Sequence, residues 1–314
     1  MEIQSSPFDS PVERGGRIPG SAGQHAYELR LRDPAPVPVL VAVPHAGRHY
    51  PESLAARMRH PLESSLRLED RLVDLVADAL SRETGAALLV AQAPRALIDL
   101  NRSPDDMDWS MVADPRRHDG AVNGDQAGRR ARGGLGLVPR RLPGLGELWK
   151  NRLNQSELDL RIEHVHRPYH RALGATLEAL RDRWGGALLI DLHSMPPLGP
   201  KIGAEPAPDF VLGDRFGASC SARLSALAMD HLTAAGHGAA HNRPYAGGYV
   251  LDRHAAPTRG IHALQVELCR TAYLDRAFRV PGPGLAAMVD LLAGLVRRLA
   301  DELVGTQRLA EAAE

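Results

Sequence analysis

The run Leu188-Leu189-Ile190-Asp191-Leu192-His193-Ser194 constrains the fold more than any other stretch of the chain. A continuous apolar run of strand character belongs inside a parallel or mixed sheet, covered on both faces. The Asp-x-His-Ser that ends it cannot be buried without partners. In α/β proteins ligands bind beside the carboxyl ends of the strands, so His193 is expected at the mouth of the sheet. There it is either a hydrogen-bonded core histidine or a metal ligand with Asp191 behind it.

The remaining segments supply the rest of such a sheet. Residues 37–44 read as a buried strand delivering His45, and 86–91 as a second. Residues 96–100 read as a short third strand running into Asn101-Arg102. Residues 210–213 and 262–268 complete the set. Helices are expected at 64–84, ended by Gly85, and at 146–183, 217–235 and 283–304. In the last of these Leu285, Met288, Leu292, Leu295 and Leu299 share one face. Residues 103–145 carry many Pro, Gly, Asp and Arg with little periodicity, and are expected to be a functional or mobile loop. Residues 1–24 are expected to be a poorly ordered tail, with 25–314 a single domain. The alternation predicts an α/β fold, a three-layer sandwich around a mixed, largely parallel sheet.

Composition narrows the function. The 314 residues include 38 Lys+Arg and 38 Asp+Glu, a balance that argues against a nucleic-acid or polyanion binder. Only Lys150 and Lys201 are lysine, so an individual arginine carries little information. Two cysteines, Cys220 and Cys269, are too few for a disulfide framework or a Cys-rich zinc site, and fit a cytoplasmic protein. No membrane span and no secretory signal are read. Neither a phosphate-binding P-loop nor a dinucleotide glycine fingerprint is present, and Ser194 lacks a nucleophile elbow.

Polar residues interrupt the apolar strands at four ends: His45, Asp99-Leu100-Asn101-Arg102, Asp191-Leu192-His193 and Gln265-Val266-Glu267. Catalytic zinc takes three N/O ligands and keeps a position open. His45 and His193 are the natural nitrogen donors, and Glu69 or Asp70 the carboxylate. Acidic residues near a helix N-terminus are also common for the macrodipole alone. Glu267 in an apolar strand is either a general base with a raised pKa or an ion-pair partner of an arginine such as Arg270. The fork of Arg102 suits a substrate carboxylate. Arg95, seven residues earlier, is either a group that stabilises an oxyanion or, given the abundance of arginine, one more structural arginine. Gly247-Gly248-Tyr249, with Pro244-Tyr245 before it, is either a surface turn or a mobile loop whose aromatic covers a substrate. His164, His166 and His170 do not share one helix face and read as surface or packing residues.

Together these segments resemble the N-formylglutamate amidohydrolases. Val43-Pro44-His45-Ala46-Gly47-Arg48-His49-Tyr50-Pro51 is similar to the family's Pro-His-Ser-Gly-x-x-x-Pro opening. Glu69 to Asp74, Pro94 to Arg102, Pro168-Tyr169-His170, Ile190 to Pro196, Gly247-Gly248-Tyr249 and Leu264 to Leu268 follow in order. The resemblance implies a zinc carboxypeptidase-like fold, shared with aspartoacylase and succinylglutamate desuccinylase. It implies zinc or another divalent metal on His45, His193 and Asp70, with Glu69 the alternative carboxylate and Asp191 in support. Glu267 matches the general base, Arg95 the oxyanion-stabilising arginine, and Asn101, Arg102 and Tyr249 the substrate site. Relatives with a His-x-x-Glu zinc motif have a carboxylate where this chain has Arg48, so the third ligand comes from elsewhere.

The implied reaction is metal-dependent hydrolysis of N-formyl-L-glutamate to formate and L-glutamate, as in histidine degradation. Hydrolysis of another N-acyl amino acid or of a peptide is the rival within that class. A non-catalytic metal-binding protein on the same fold is the rival outside it.

Overall fold

The computed structural model describes residues 11–113, 131–199 and 207–311. Eight strands form the main sheet: β1 (Val12–Gly15), β2 (Tyr27–Arg30), β3 (Val39–Val43), β4 (Ala87–Ala91), β5 (Ala187–Met195), β6 (Phe210–Gly213), β7 (Ala239–His241) and β8 (Ile261–Cys269). The helices are α1 (Glu52–Arg57), α2 (Pro61–Leu68), α3 (Val73–Thr84), α4 (Gln155–Arg161), α5 (Arg167–Trp184), α6 (Ala222–Ala234), α7 (Tyr249–His254) and α8 (Leu285–Glu311). Strand order is β1-β2-β4-β3-β5-β8-β6-β7. The central four, β4, β3, β5 and β8, run parallel. Antiparallel β2 and β6 flank them.

Alternation along the buried strands builds two apolar layers. Leu40, Ala42, Ala187, Leu189 and Ala263 meet Leu173, Leu177 and Leu180 of α5 on one face. Val41, Ile190, Leu192, Leu264 and Val266 meet α3, α6 and α8 on the other. The result is helix, sheet, helix, the three-layer α/β arrangement expected from the alternation of elements. Among the described residues no helix is long and apolar enough to cross a membrane.

Four local expectations are corrected. The single helix at 64–84 is two helices, broken at 69–72 without a glycine or proline. Leu72 takes a left-handed φ of 57°. The Asp70 N–H donates to the carbonyl of His45, at 3.0 Å, and the Leu66 carbonyl it would have used in a helix accepts from Arg270 Nη1 at 3.3 Å. Residues 96–100 are a turn and not a strand. Leu97 N donates to Pro94 O, Asp99 N to Leu137 O, and the Asp99 side chain accepts from Asn101 N, so these groups are satisfied without joining a ladder.

The helix expected from 146 begins only at Gln155, and a π-helical turn, Ile162–His166, joins α4 to α5. Pro168 explains part of this. It has no N–H for the carbonyl of His164, which instead accepts from Arg17 N at 2.8 Å. That bond bears on the fourth correction. Within the expected tail of 1–24, residues 12–15 form edge strand β1 and Ile18 is fully buried. Residues 1–10, and 114–130 of the expected loop 103–145, lie outside the described residues.

Candidate metal centre and active site

The site follows from strand periodicity and register. On β5, Asp191 and His193 continue the face that begins with Ala187 and Leu189. On β8, Gln265 and Glu267 continue the face of Ala263. The two strands are parallel neighbours, with Asp191 opposite Gln265 and His193 opposite Glu267. Four polar side chains therefore form a block at the carboxyl end of the sheet. His45 joins it just past β3, and the break between α2 and α3 turns Asp70 inward.

Asp70 is the hub. Its Oδ2 lies 2.8 Å from His193 Nδ1 and 3.3 Å from His45 Nδ1. The other nitrogen of each ring is backed by a carboxylate. His45 Nε2 is 2.7 Å from Asp99 Oδ1, and His193 Nε2 is 2.9 Å from Asp191 Oδ2. Arg95 Nε donates to the second oxygen of Asp99 at 2.8 Å. Gln265 Nε2 donates to Glu267 Oε1 at 2.9 Å and orients that carboxylate.

This donor set fits a divalent metal. Ligand atoms of His45, Asp70 and His193 all lie within 4.8 Å of one another, and all three residues are buried. His45 Nδ1 is buried with no hydrogen-bond partner. Each histidine thus presents Nδ1 inward and holds Nε2 on a carboxylate, the pairing that fixes a metal-binding imidazole. Two imidazoles and one carboxylate suit zinc with a position left open.

The electrostatics agree with a site built for a cation. Burial alone raises the pKa of Asp70, but the adjacent rings of His193 and His45 outweigh it and hold the carboxyl well below its usual range. Burial likewise opposes charge on Asp99, and Arg95 and His45 overcome it. Burial also works against a charged His193, but Asp191 and Asp70 keep its pKa well above the ordinary imidazole value. Glu267 goes the other way. Burial pushes it up to about 7, with His193 only partly offsetting this.

A cavity of about 530 Å³ opens over these groups. Arg67, Arg95, Arg102 and Arg270 line it, with Tyr245 on the loop before Gly247. Gly133 and Leu135, from the segment expected to be a functional loop, also line it.

The other expected site residues fall as follows. Glu69 is buried but pairs with Arg71 at 2.9 Å, outside the histidine–Asp70 cluster. Arg102 lines the cavity, with Nε on Leu135 O and Nη1 on Asn101 O. Asn101 donates to Gln265 Oε1 at 3.3 Å and accepts from Val250 N at 2.9 Å. Arg270 does not pair with Glu267. It binds Ser194 Oγ and the Leu66 and Glu69 carbonyls, bracing the Asp70 corner.

Tyr249 is not among the residues that line the cavity. It opens helix α7 and packs against the rings of His166 and His170, away from the cavity lining; the aromatic on the lining is Tyr245. Asp99 and Gln265 carry contacts that the sequence reading assigned no role. Their signal was present, since both are polar in apolar surroundings.

Gly248 explains the paired glycines. A Cβ there would lie 2.5 Å from Asn101 Oδ1. Gly248→Ala is therefore expected to destabilise the protein by about 1–3 kcal/mol through overpacking, measured by urea denaturation. An unchanged midpoint would show that the loop yields freely.

Comparison with known proteins adds the family. The sequence matches the N-formylglutamate amidohydrolase family profile over residues 37–274. The chain belongs to the N-formylglutamate amidohydrolase family. An N-formylglutamate deformylase of Pseudomonas aeruginosa is 29% identical over 288 residues, covering 87% of this chain and 96% of the relative. One from Pseudomonas putida is 31% identical over 243 residues, covering 76% and 82%. The crystal structure of N-formylglutamate amidohydrolase from Ralstonia eutropha JMP134 superposes with a TM-score of 0.78 at 29% identity, over 88% of this chain and 98% of that one. His45, Asp70, His193 and Glu267 all lie inside the matched span of this N-formylglutamate amidohydrolase family member.

Proposed function

We propose that this chain is a zinc-dependent hydrolase of N-acyl amino acids, with N-formyl-L-glutamate its preferred substrate and formate and L-glutamate its products. The observation that carries the reading is the His-Asp-His donor set with Glu267 one ladder partner away from His193. Membership of the family makes the reaction hydrolysis of a linear amide bond. Zinc on these donors supplies Lewis acidity, which makes water a nucleophile near neutral pH. Glu267 takes the proton from the attacking water on its carboxylate and returns it to the departing amine. Arg95 offsets negative charge that develops on the acyl oxygen.

Arg102, on a turn braced by Asn101, binds a carboxylate of the amino-acid part. Four arginines line the cavity against the two carboxylates of Asp70 and Glu267. That balance favours a dianion such as N-formylglutamate over a neutral acyl amine. The role in histidine degradation follows from that substrate. Both cysteines are buried free thiols, which fits a reducing cytoplasm.

A panel of N-formyl, N-acetyl and N-succinyl amino acids, assayed with added zinc, tests the substrate. N-formyl-L-glutamate is expected to give the highest kcat/KM. Preference for another acyl group would move the chain to the rival within the class, and no turnover of any member would favour the non-catalytic rival. Arg102→Ala is expected to raise KM about 10- to 100-fold, the loss of a charge-assisted hydrogen bond. An unchanged KM would place the carboxylate elsewhere in the cavity.

A further inference from the structure

Three histidines that take no part in the chemistry above surround the turn bearing Asn101 and Arg102. His170 Nε2 lies 3.0 Å from the carbonyl of Leu100, and His166 Nε2 lies 2.9 Å from that of Arg102. The carbonyl between them, on Asn101, accepts from Arg102 Nη1 at 2.7 Å. Three consecutive carbonyls thus each hold a side-chain donor. A carbonyl only accepts, so each imidazole carries its proton on Nε2.

That leaves His170 Nδ1 as an acceptor. Its partner is His254 Nε2 at 2.9 Å, with the rings stacked 5.2 Å apart at 11°. His254 ends α7, and near the start of the same helix Val250 N donates to Asn101 Oδ1. The contacts form a closed ring: Asn101 to α7, α7 to His254, His254 to His170, and His170 back to the carbonyl before Asn101. Burial keeps the imidazoles neutral, with His166 down to about 4, His254 to about 3 and His170 well below its ordinary value. Neutrality matters, because a proton on His170 Nδ1 would set donor against donor.

We propose that His166 and His170 are positioning residues, fixing the backbone from which Arg102 reaches the substrate carboxylate. This rests on the reading of Arg102 as the carboxylate ligand. Simple packing would not require two nitrogens aimed at the carbonyls on either side of Asn101.

The test pairs His166→Leu with His166→Gln, because glutamine can offer an N–H in place of Nε2. Kinetics are read on N-formyl-L-glutamate and on its diamide, which has no carboxylate. His166→Leu is expected to raise KM for the acid about tenfold, with kcat little changed and kcat/KM for the diamide unaltered. His166→Gln is expected to restore KM. Equal losses on both substrates, or no loss on the acid, would overturn the assignment while leaving the proposed reaction standing.

Amide hydrogen exchange decides the matter without turnover. In His166→Leu and His170→Leu the Asn101 and Val250 amides are expected to exchange about tenfold faster, with β5 amides unchanged. Unchanged exchange at both amides would overturn the proposal. If wild-type protein cleaves neither substrate, the proposed function falls, and the exchange result still decides whether the histidines fix the turn.

Discussion

Glu267→Gln is expected to lower kcat by about three orders of magnitude, the middle of the range for loss of a general acid–base. Metal content should stay at the wild-type level, because Glu267 is not among the three converging donors. The pH profile is the sharper measurement. Burial raises the Glu267 pKa to about 7. A carboxylate accepts a proton only when ionised, so kcat/KM should fall as pH drops through that pKa and level off above it. A cation on the neighbouring donors favours the ionised form and moves the limb below the value for metal-free protein. In Glu267→Gln the limb should vanish along with most of the rate. Near wild-type turnover in this variant would remove Glu267 from the mechanism.

Asp70→Asn carries the second large effect. The change keeps the shape but removes the charge that both His45 Nδ1 and His193 Nδ1 face. Metal analysis after mild purification is expected to find about one zinc or similar ion per wild-type chain, as for one three-ligand site, and none held by Asp70→Asn. Activity should fall to background with it. Removing one partner of a buried pair also costs about 3–5 kcal/mol, so a lower Tm in metal-free protein is expected as well.

Asp99→Asn separates the two effects. It keeps the three ligands and removes the charge behind His45, which Arg95 Nε also contacts, so metal affinity is expected to fall about 10- to 100-fold. The direction with pH follows from His193. Its raised pKa means that metal-free protein holds a proton which binding must displace, so affinity should rise with pH up to that pKa. Wild-type protein that takes up no stoichiometric ion would overturn the metal site.

The strand ends were legible because their two demands conflict. Apolar runs such as Leu188–Ile190 must be buried, and the polar residues that follow them then need partners. That reasoning located His45, His193 and Glu267 near one another without any contact being visible. It failed where the deciding contact is remote. Nothing near Leu72 marks the break between α2 and α3. The break is stabilised by His45 O on one side and Arg270 on the other, residues far away in sequence. Asp99 looked like the end of a strand because its neighbours are apolar, yet its turn is held by Leu137 O and by its own side chain. Tyr249 and Tyr245 were not separable by composition. Their surroundings differ only in the fold, where Tyr249 packs on the rings of His166 and His170 and Tyr245 lines the cavity.

The ladder between β5 and β8 separates two jobs. Asp191, His193, Gln265 and Glu267 are spaced by backbone hydrogen bonds, whereas the rim around Leu135, Pro196 and Tyr245 comes from connecting segments. Loops tolerate substitution and insertion that a central parallel pair does not. Substrate choice can therefore diverge while the reacting centre keeps its dimensions. A laboratory effort to redirect this scaffold toward another acyl group has its natural library in the rim, with the two strands left as written.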